Sequence, residues 1–213
     1  AGLFARFFED ARLPYVSWFT DTPRMILYGR QMHVSWYSVA ATWERSYAPH
    51  FEVLGFEHVL FMPHATDPHL FHGAPAATWD RELAFVGSSM TKQTNEALEK
   101  HRELPHVLEA VREAFDSGRV TRERFAEGID AILDPQLLEE LDASQRRNVE
   151  LLVNYEATRR QRAGVAEALA PLGLEVRGDA YWLEVLSNVQ GAVGYFDHLA
   201  DYYRGTAINV NTT

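Results

Sequence analysis

The stretch Glu82-Leu83-Ala84-Phe85-Val86-Gly87-Ser88-Ser89-Met90 decides the fold class of this chain. Leu83 to Val86 is a continuous apolar run that stops at Gly87. A strand covered on both faces, as in a parallel sheet, has this pattern, whereas a half-exposed strand alternates. Gly87, Ser88 and Ser89 suit a tight strand-to-helix turn, where backbone N–H groups can approach a phosphate or a sugar. The same residues also suit an ordinary turn, and the stretch alone leaves both interpretations open.

A Pro-rich segment lies upstream of this strand and predicts a linker between two domains. It runs from Pro63 through Pro68 to Pro75. We therefore expect residues 1–75 to form part of an N-terminal α/β lobe and residues 76–213 to form part of a C-terminal α/β lobe.

Strand and helix patterns alternate before the linker. Apolar, β-rich runs predict strands over residues 15–19, 33–37 and 57–62, with a helix over residues 40–54. This order is the βαβ pattern of a parallel sheet.

Helical periodicity dominates after the central strand, and residues 92–155 contain almost no strand pattern. Expected helices include one from Thr121 to Asp134 and one that begins at Asp142 or Ser144 and extends toward Leu169. Strand patterns return at residues 174–178 and 206–211, separated by an amphipathic stretch over residues 191–204. The predicted fold class is α/β, with two Rossmann-like lobes and an α-helical insertion in the second.

Composition excludes several functional classes. The chain has 213 residues, a formal net charge of −10 and no cysteine. The acidic balance argues against a nucleic-acid partner, and the absence of cysteine excludes disulfides and thiolate metal sites. The nine histidines form no spacing typical of a metal site, so we expect no metal and no cofactor. No apolar run is long enough for a membrane span, and we expect a cytoplasmic protein.

Five segments in order give the chain a resemblance to a known family. They are Trp18-Phe19-Thr20-Asp21-Thr22-Pro23, then Gly55 to Asp67 with Pro63 and Ala65, then Phe85-Val86-Gly87-Ser88, then Gly173 to Gly178 with Trp182, and finally Tyr203 with Ile208-Asn209-Val210-Asn211. Together they resemble glycosyltransferases of the GT-B architecture, and within them the spore-maturation CgeB-like group. The resemblance covers residues 13–90 and 157–213. The helical stretch after Ser89 is longer than that pattern requires.

The resemblance implies a glycosyltransferase that moves a sugar from a nucleotide-sugar donor to an unknown acceptor. It also implies a fragment, inactive alone, whose parent continues after Thr213 into a Gly-rich loop and an acidic residue that binds the donor ribose. Ligands of open α/β sheets bind at the carboxyl ends of the strands. The candidate bases for the acceptor hydroxyl are Asp21 and His64. The candidate substrate-binding residues are Arg24, Asp67, Gly87, Ser88, Ser89, Arg160, Gly178, Asn209 and Asn211.

Each candidate also has a structural interpretation. Asp21 before Thr22-Pro23 suits a helix cap, and His64 and Asp67 suit loop hydrogen bonds. Asn209 and Asn211 could simply close a strand edge, and the basic run Arg159 to Arg162 could be a solvated helix face. The alternative function is a non-catalytic α/β binding module whose helical insertion recruits a protein partner.

Overall fold

The computed structural model describes residues 2–27, 32–71, 78–120 and 128–212. Over these residues the chain is a mixed α/β protein with two parallel sheets, one of three strands and one of four. The predicted α/β class with parallel sheets is therefore confirmed.

The first sheet contains strands β1 (Tyr15–Phe19), β2 (Ser38–Thr42) and β3 (His58–Phe61) in the order β1-β2-β3. Both neighbouring pairs are parallel, with Tyr15 opposite Ser38 and Val39 opposite His58. The accompanying helices are α1 (Gly2–Asp10), α2 (Pro23–Leu27) and α3 (Ala48–Val53). Helix α2 begins at the expected proline, whose fixed φ and missing N–H suit a first helical position.

The central strand of this sheet corrects the sequence prediction. We expected a strand over residues 33–37 and a helix from residue 40, but the strand is Ser38–Thr42 and the α-helix starts at Ala48. Alanine favours helices, which made Ala40 and Ala41 misleading. Both are fully buried in the middle of the sheet, where tertiary packing overrides helix propensity.

The predicted helical segment contains no strand within residues 92–120 and 128–155. Its helices are α4 (Thr91–Lys100), α5 (Pro105–Asp116), α6 (Ile129–Ile132), α7 (Pro135–Glu139) and the long α8 (Ala143–Leu169). Residues 121–127, where a further helix was expected to begin, lie outside the described residues. One hydrophobic cluster, which includes Val107, Ile129 and Val149, joins α5, α6, α7 and the first part of α8.

Helix α8 begins with a reciprocal cap. One carboxylate oxygen of Asp142 accepts the N–H groups of Ser144 and Gln145 at 2.7 and 2.8 Å, and the Gln145 side chain accepts the N–H of Asp142 at 2.9 Å. Two N–H groups that a helix cannot bond internally at its start are satisfied by this capping box. The expected start at Asp142 is confirmed.

The second sheet contains strands β4 (Arg81–Val86), β5 (Glu175–Gly178), β6 (Val189–Gly191) and β7 (Thr206–Val210) in the order β6-β5-β4-β7. All three neighbouring pairs are parallel. Helix α9 (Asp197–Arg204) precedes β7. The sequence predicted β4, β5 and β7, but it missed the three-residue strand β6 and began the α9 pattern six residues too early.

The contacts divide the chain into two compact units. The first comprises residues 1–65 and 103–153, and the second comprises residues 66–102 and 154–213. We expected a division at residue 75, with the whole helical segment in the second domain. In the structure, residues 103–153 of that segment group with the first unit. The grouping has a physical basis in Arg24, which bonds the Glu150 carboxylate at 3.0 Å and the Asp130 carboxylate at 2.7 Å. These interactions join α2 to α6 and α8 within the first unit.

Glu150 is held by more than its arginine. Its second oxygen accepts the backbone N–H of Ile129 at 3.0 Å, and its side chain is 2% exposed. Burial opposes the charged form of Arg24, but the carboxylates of Glu150 and Asp130 outweigh that effect and raise the pKa of Arg24. Arg24 therefore remains charged in the folded protein.

Replacing Arg24 with Met tests this buried pair. The substitution leaves the Glu150 carboxylate without its compensating charge, and we expect the free energy of unfolding to fall by about 3–5 kcal/mol. The control is Arg112→Met, which removes a pair to Glu109 whose side chains are 62% and 65% exposed. That change should cost less than about 1 kcal/mol. Urea denaturation measures both, and equal losses in the two variants would contradict a buried structural pair.

Candidate functional site

The carboxyl edge of the second sheet is the candidate site. The chain order of the strands reverses between β4 and β7, because β5 and β6 follow β4 on one side and β7 lies on the other. In open parallel sheets, the crevice at such a reversal is where ligands bind. Leu83 pairs with Ile208 and Phe85 with Val210. The tips of these two strands therefore meet at one edge, as the sequence argument required.

The tip of β5 lies against the tip of β4. A β-carbon built on Gly178 would overlap the backbone oxygen of Gly87 and would lie 2.8 Å from the Trp182 ring. That same oxygen accepts the indole N–H of Trp182 at 2.9 Å. Glycine at residue 178 therefore allows the close approach of the two strand ends.

Gly87 has a packing role that the sequence argument did not include. A β-carbon at residue 87 would lie 2.9 Å from the ring of Phe85, which is itself buried in the core of this unit. We expected glycine here to let a ligand approach the backbone. The structure also requires it to make room for an aromatic ring.

Asp179 directly follows β5 and bonds to the β4 tip. Its carboxylate accepts the backbone N–H of Ser89 at 2.7 Å, the hydroxyl of Ser89 at 2.8 Å and the N–H of Tyr181 at 3.1 Å. The Ser89 oxygen in turn accepts the N–H of Thr91 at the start of α4, at 3.2 Å. Asp179 and Ser89 thus connect the ends of β4 and β5 to the start of α4.

Arg162 of α8 also reaches the β4 tip. Its Nη1 donates to the backbone oxygen of Ser88 at 2.8 Å and to the Ser88 hydroxyl oxygen at 3.1 Å. Burial lowers the pKa of Arg162, and the charge of Asp179 opposes that shift. Its Nε is buried without a hydrogen-bond partner in the described part of the chain.

These contacts determine which backbone donors remain for a ligand. The Gly87 N–H donates to the Arg177 oxygen at 2.9 Å, and the Ser89 N–H is taken by Asp179. Ser88 is the residue of the tip whose N–H makes no hydrogen bond to the rest of the described chain. The N–H groups of Lys92 and Gln93 lie in the first turn of α4, where a helix provides no acceptor of its own.

The two asparagines differ in their positions. Asn209 pairs with Ala84 within the sheet, and its side-chain amide donates to the backbone oxygen of Tyr203 at 3.1 Å. Asn211 is exposed and follows the end of β7. Asn211 therefore lies at the edge of the sheet. Asn209 lies within the sheet, and its side chain is bonded to the backbone of Tyr203.

The remaining predicted residues lie elsewhere. Arg24 is held by Glu150 and Asp130 in the first unit, and Arg160 bonds Glu156 at 2.6 Å. Asp67 accepts the N–H of His69 at 2.8 Å in a turn.

The ion pairs of Glu156 with Arg159 and Arg160 shift the pKa of its carboxyl group. Burial opposes its ionised form, but hydrogen bonds from Arg159 and Arg160 prevail and hold its pKa below the usual value.

Asp21 and His64 belong to the carboxyl edge of the first sheet. Asp21 follows β1 and is exposed, and His64 follows β3. The His64 ring stacks on Trp43 with centroids 5.2 Å apart and lies 6.5 Å from the Trp18 ring. The Trp43 indole N–H is buried without a partner in the described part of the chain. This edge therefore combines the exposed carboxylate of Asp21 with one imidazole and two indoles.

At the second edge, Arg162, Asp179 and Trp182 bond the strand tips, although the sequence prediction gave none of them a role in the site. The sequence predicts Arg160 of the basic run as the substrate-binding residue, whereas Arg162 reaches the strand tip and Arg160 bonds Glu156. Two positions along a helix rotate a side chain by about 200°, so Arg160 and Arg162 face opposite directions. The useful signal was helical phase: Arg162 and the buried Ala166 share one face of α8 at four-residue spacing.

Comparison with protein-family models, with curated proteins and with solved structures finds no match to this chain. Over residues 2–27, 32–71, 78–120 and 128–212, no group of three or more histidine or acidic side chains could hold a metal ion. None of the helices described is long and apolar enough to cross a membrane.

A Gly→Ala pair tests the close approach at the edge. Gly178→Ala should lower the free energy of unfolding by about 1–3 kcal/mol, because the added methyl group overpacks against Gly87 and Trp182. Gly164→Ala is the control, since a β-carbon there meets nothing within 4 Å. In the helix interior, that change should raise stability by about 0.5–1 kcal/mol. Stabilisation by both changes in thermal denaturation would refute the packing argument.

Proposed function

We propose that this chain is part of a nucleotide-sugar-dependent glycosyltransferase and that its second unit binds the donor. The observation that supports this is the reversal of strand order between β4 and β7, with the polar tip of residues 87–89 at the carboxyl edge. This is the arrangement in which Rossmann-like sheets bind nucleotides. The GT-B-like resemblance of the sequence points to the same edge, and the acceptor is left open.

The diphosphate of the donor would bind at the start of α4. Helix N-termini attract phosphates through their unbonded N–H groups and the helix dipole. Lys92 lies in this first turn, and its side chain is 64% exposed. Its bond to Glu96 is long, at 3.9 Å, and an exposed pair of this kind is weak. Lys92 is therefore able to turn toward a bound diphosphate.

Transfer itself needs a base and a stabilised leaving group. The acceptor hydroxyl oxygen forms a bond to the anomeric carbon while the bond from that carbon to the diphosphate breaks. The hydroxyl proton passes to a base, for which we propose Asp21 or His64 of the first unit. The charge that develops on the diphosphate is stabilised at the start of α4.

A charge reversal at each end of α4 tests the donor site. Lys92→Glu should weaken binding of a nucleoside diphosphate by about tenfold or more, because a carboxylate replaces the ammonium group beside the phosphates. Lys100→Glu is the matched control at the last residue of the same helix and should leave the affinity unchanged. Isothermal titration with UDP, GDP, ADP, CDP and TDP shows which nucleobase the chain prefers and measures the affinity of both variants.

Two outcomes would count against the donor site. Absence of binding for every nucleotide would reject it, and so would equal weakening by the two substitutions. Binding also raises the melting temperature of the native chain by mass action, which provides an independent measurement of the same affinity.

Replacing Asp21 with Asn tests the chemical step. The substitution keeps the shape and hydrogen-bonding capacity of the side chain but removes the base. If Asp21 accepts the proton, release of nucleoside diphosphate from the bound nucleotide-sugar should slow by roughly 100-fold or more, with unchanged nucleotide affinity. Asp10→Asn, at the end of α1, is the control. Full turnover in Asp21→Asn would assign the base role to another residue. These rates are measured in the longer protein that the resemblance implies, and donor binding without any turnover in that unsubstituted protein would favour the non-catalytic binding module.

A further inference from the structure

The second unit contains an open pocket of about 410 Å³ away from the β4 tip. It is lined by the start of β4, by one side of α9, by Arg177 of β5 and by the loop before α9, and it includes none of residues 87–92. Its volume lies within the range typical of small-molecule sites. The pocket is therefore a site separate from the proposed donor edge.

Two arginines meet over one tyrosine in the floor of this pocket. The guanidinium carbons of Arg81 and Arg177 lie 4.2 and 5.3 Å from the centroid of the Tyr202 ring. The Tyr202 hydroxyl donates to a carboxylate oxygen of Glu175 at 2.8 Å, and Nε of Arg177 donates to the same oxygen at 3.1 Å. Cation–π contacts and hydrogen bonds thus hold both guanidinium groups in place.

The floor carries more positive than negative charge. Arg81 and Arg177 are 20% and 27% exposed, and Glu175 is the one carboxylate that both approach, at 3.6 and 3.1 Å. Burial opposes ionisation of Glu175, but its bonds to Tyr202 and the arginines hold its pKa below the usual value. Burial and the Glu175 bond raise the pKa of Tyr202 to about 12. Glu175 is therefore ionised and Tyr202 neutral at neutral pH, and the floor holds two arginines and one carboxylate in a chain whose net charge is −10.

The rim has the opposite character. Asp80 is 78% exposed and lies 3.9 Å from Arg81, and Asp201 is exposed on α9 and pairs with Arg204. His198 completes the rim on α9. Carboxylates at the rim repel a ligand with charge spread along its length, but they accept hydrogen bonds from hydroxyl groups. The arrangement suits one compact anionic group below and hydroxyl groups above.

We propose that this pocket binds a monosaccharide that carries a single anionic group, with the anion on Arg81 and Arg177 and the sugar hydroxyls on Asp80, Asp201 and His198. Phosphate and carboxylate both satisfy the paired guanidinium groups. The site does not depend on the proposed glycosyltransferase activity, because it shares no lining residue with the tip of β4 or the start of α4.

Titration of the chain with four probes tests the ligand class. The probes are glucose 6-phosphate, glucuronate, glucose and inorganic phosphate, and calorimetry measures each affinity. We expect glucose 6-phosphate or glucuronate to bind at least tenfold more tightly than both glucose and inorganic phosphate. The stronger of the two acidic sugars identifies the anion. If glucose binds as tightly as the acidic sugars, the arginines have no role in binding. If inorganic phosphate binds as tightly, the rim has none. Either result, or the absence of binding for every probe, would overturn the proposal.

Three variants test the location. Arg177→Gln should weaken the preferred acidic sugar at least tenfold. Gly194→Val should do so by filling the pocket, since a β-carbon there lies 3.1 Å from the His198 ring. Gly191→Val is its matched control, because a β-carbon at residue 191 meets nothing within 4 Å.

The variants also separate this site from the donor edge and from misfolding. Lys92→Glu should leave the affinity for the acidic sugar unchanged, whereas its loss in that variant would move the binding to the donor edge. Gly194→Val keeps the proposal testable if Arg177→Gln does not fold. Unchanged affinity in a folded Gly194→Val would contradict the assignment.

Discussion

The close approach of two strand ends organises the second unit. The backbone oxygen of Gly87 is in contact with Gly178 and accepts the indole N–H of Trp182. That contact fixes where β5 ends, and Asp179, the next residue, is thereby placed to accept both donors of Ser89. Helix α4 follows directly after the same tip, so these bonds also position its first residues. One steric requirement, the absence of a side chain at residue 178, therefore underlies the geometry of the whole edge.

A carboxylate of the protein itself, that of Asp179, occupies part of the edge at which the sequence predicts a ligand. The carboxylate of Asp179 occupies the N–H and hydroxyl of Ser89, as an external phosphate would. Asp179 is partly buried, and such donors offset the desolvation of its carboxylate. The guanidinium of Arg162, bonded to Ser88, adds positive charge nearby. The donors that remain available at this edge are therefore the Ser88 N–H and the N–H groups in the first turn of α4.

Local patterns predicted the elements that local physics determines. The apolar run of β4 and the cap at Asp142 were readable because strand burial and helix starts leave short-range signatures. Ala40 and Ala41 were misread because their burial depends on strands that are distant in sequence. The bond from Arg24 to Glu150 was unpredictable for the same reason, since 126 positions separate the two residues. At the candidate site, the chain positions of the tips were predictable, but the side chains that bond them were not.

Charge pairing in this chain connects its stability to its chemistry. In two structural clusters, carboxylates match or nearly match the guanidinium groups: Arg24 meets Glu150 and Asp130, and Glu156 pairs with Arg159 and Arg160 at a more exposed position. Arg162 instead donates to the backbone and hydroxyl oxygens of Ser88. Desolvation makes an unmatched buried cation costly, so an imbalance persists only where other contacts hold it. The floor around Tyr202 is such a place, because its ring faces two cations while Glu175 neutralises one. The proposed anionic ligand would complete the charge pairing of these two guanidinium groups, which share Glu175, while Arg81 also lies 3.9 Å from the exposed Asp80.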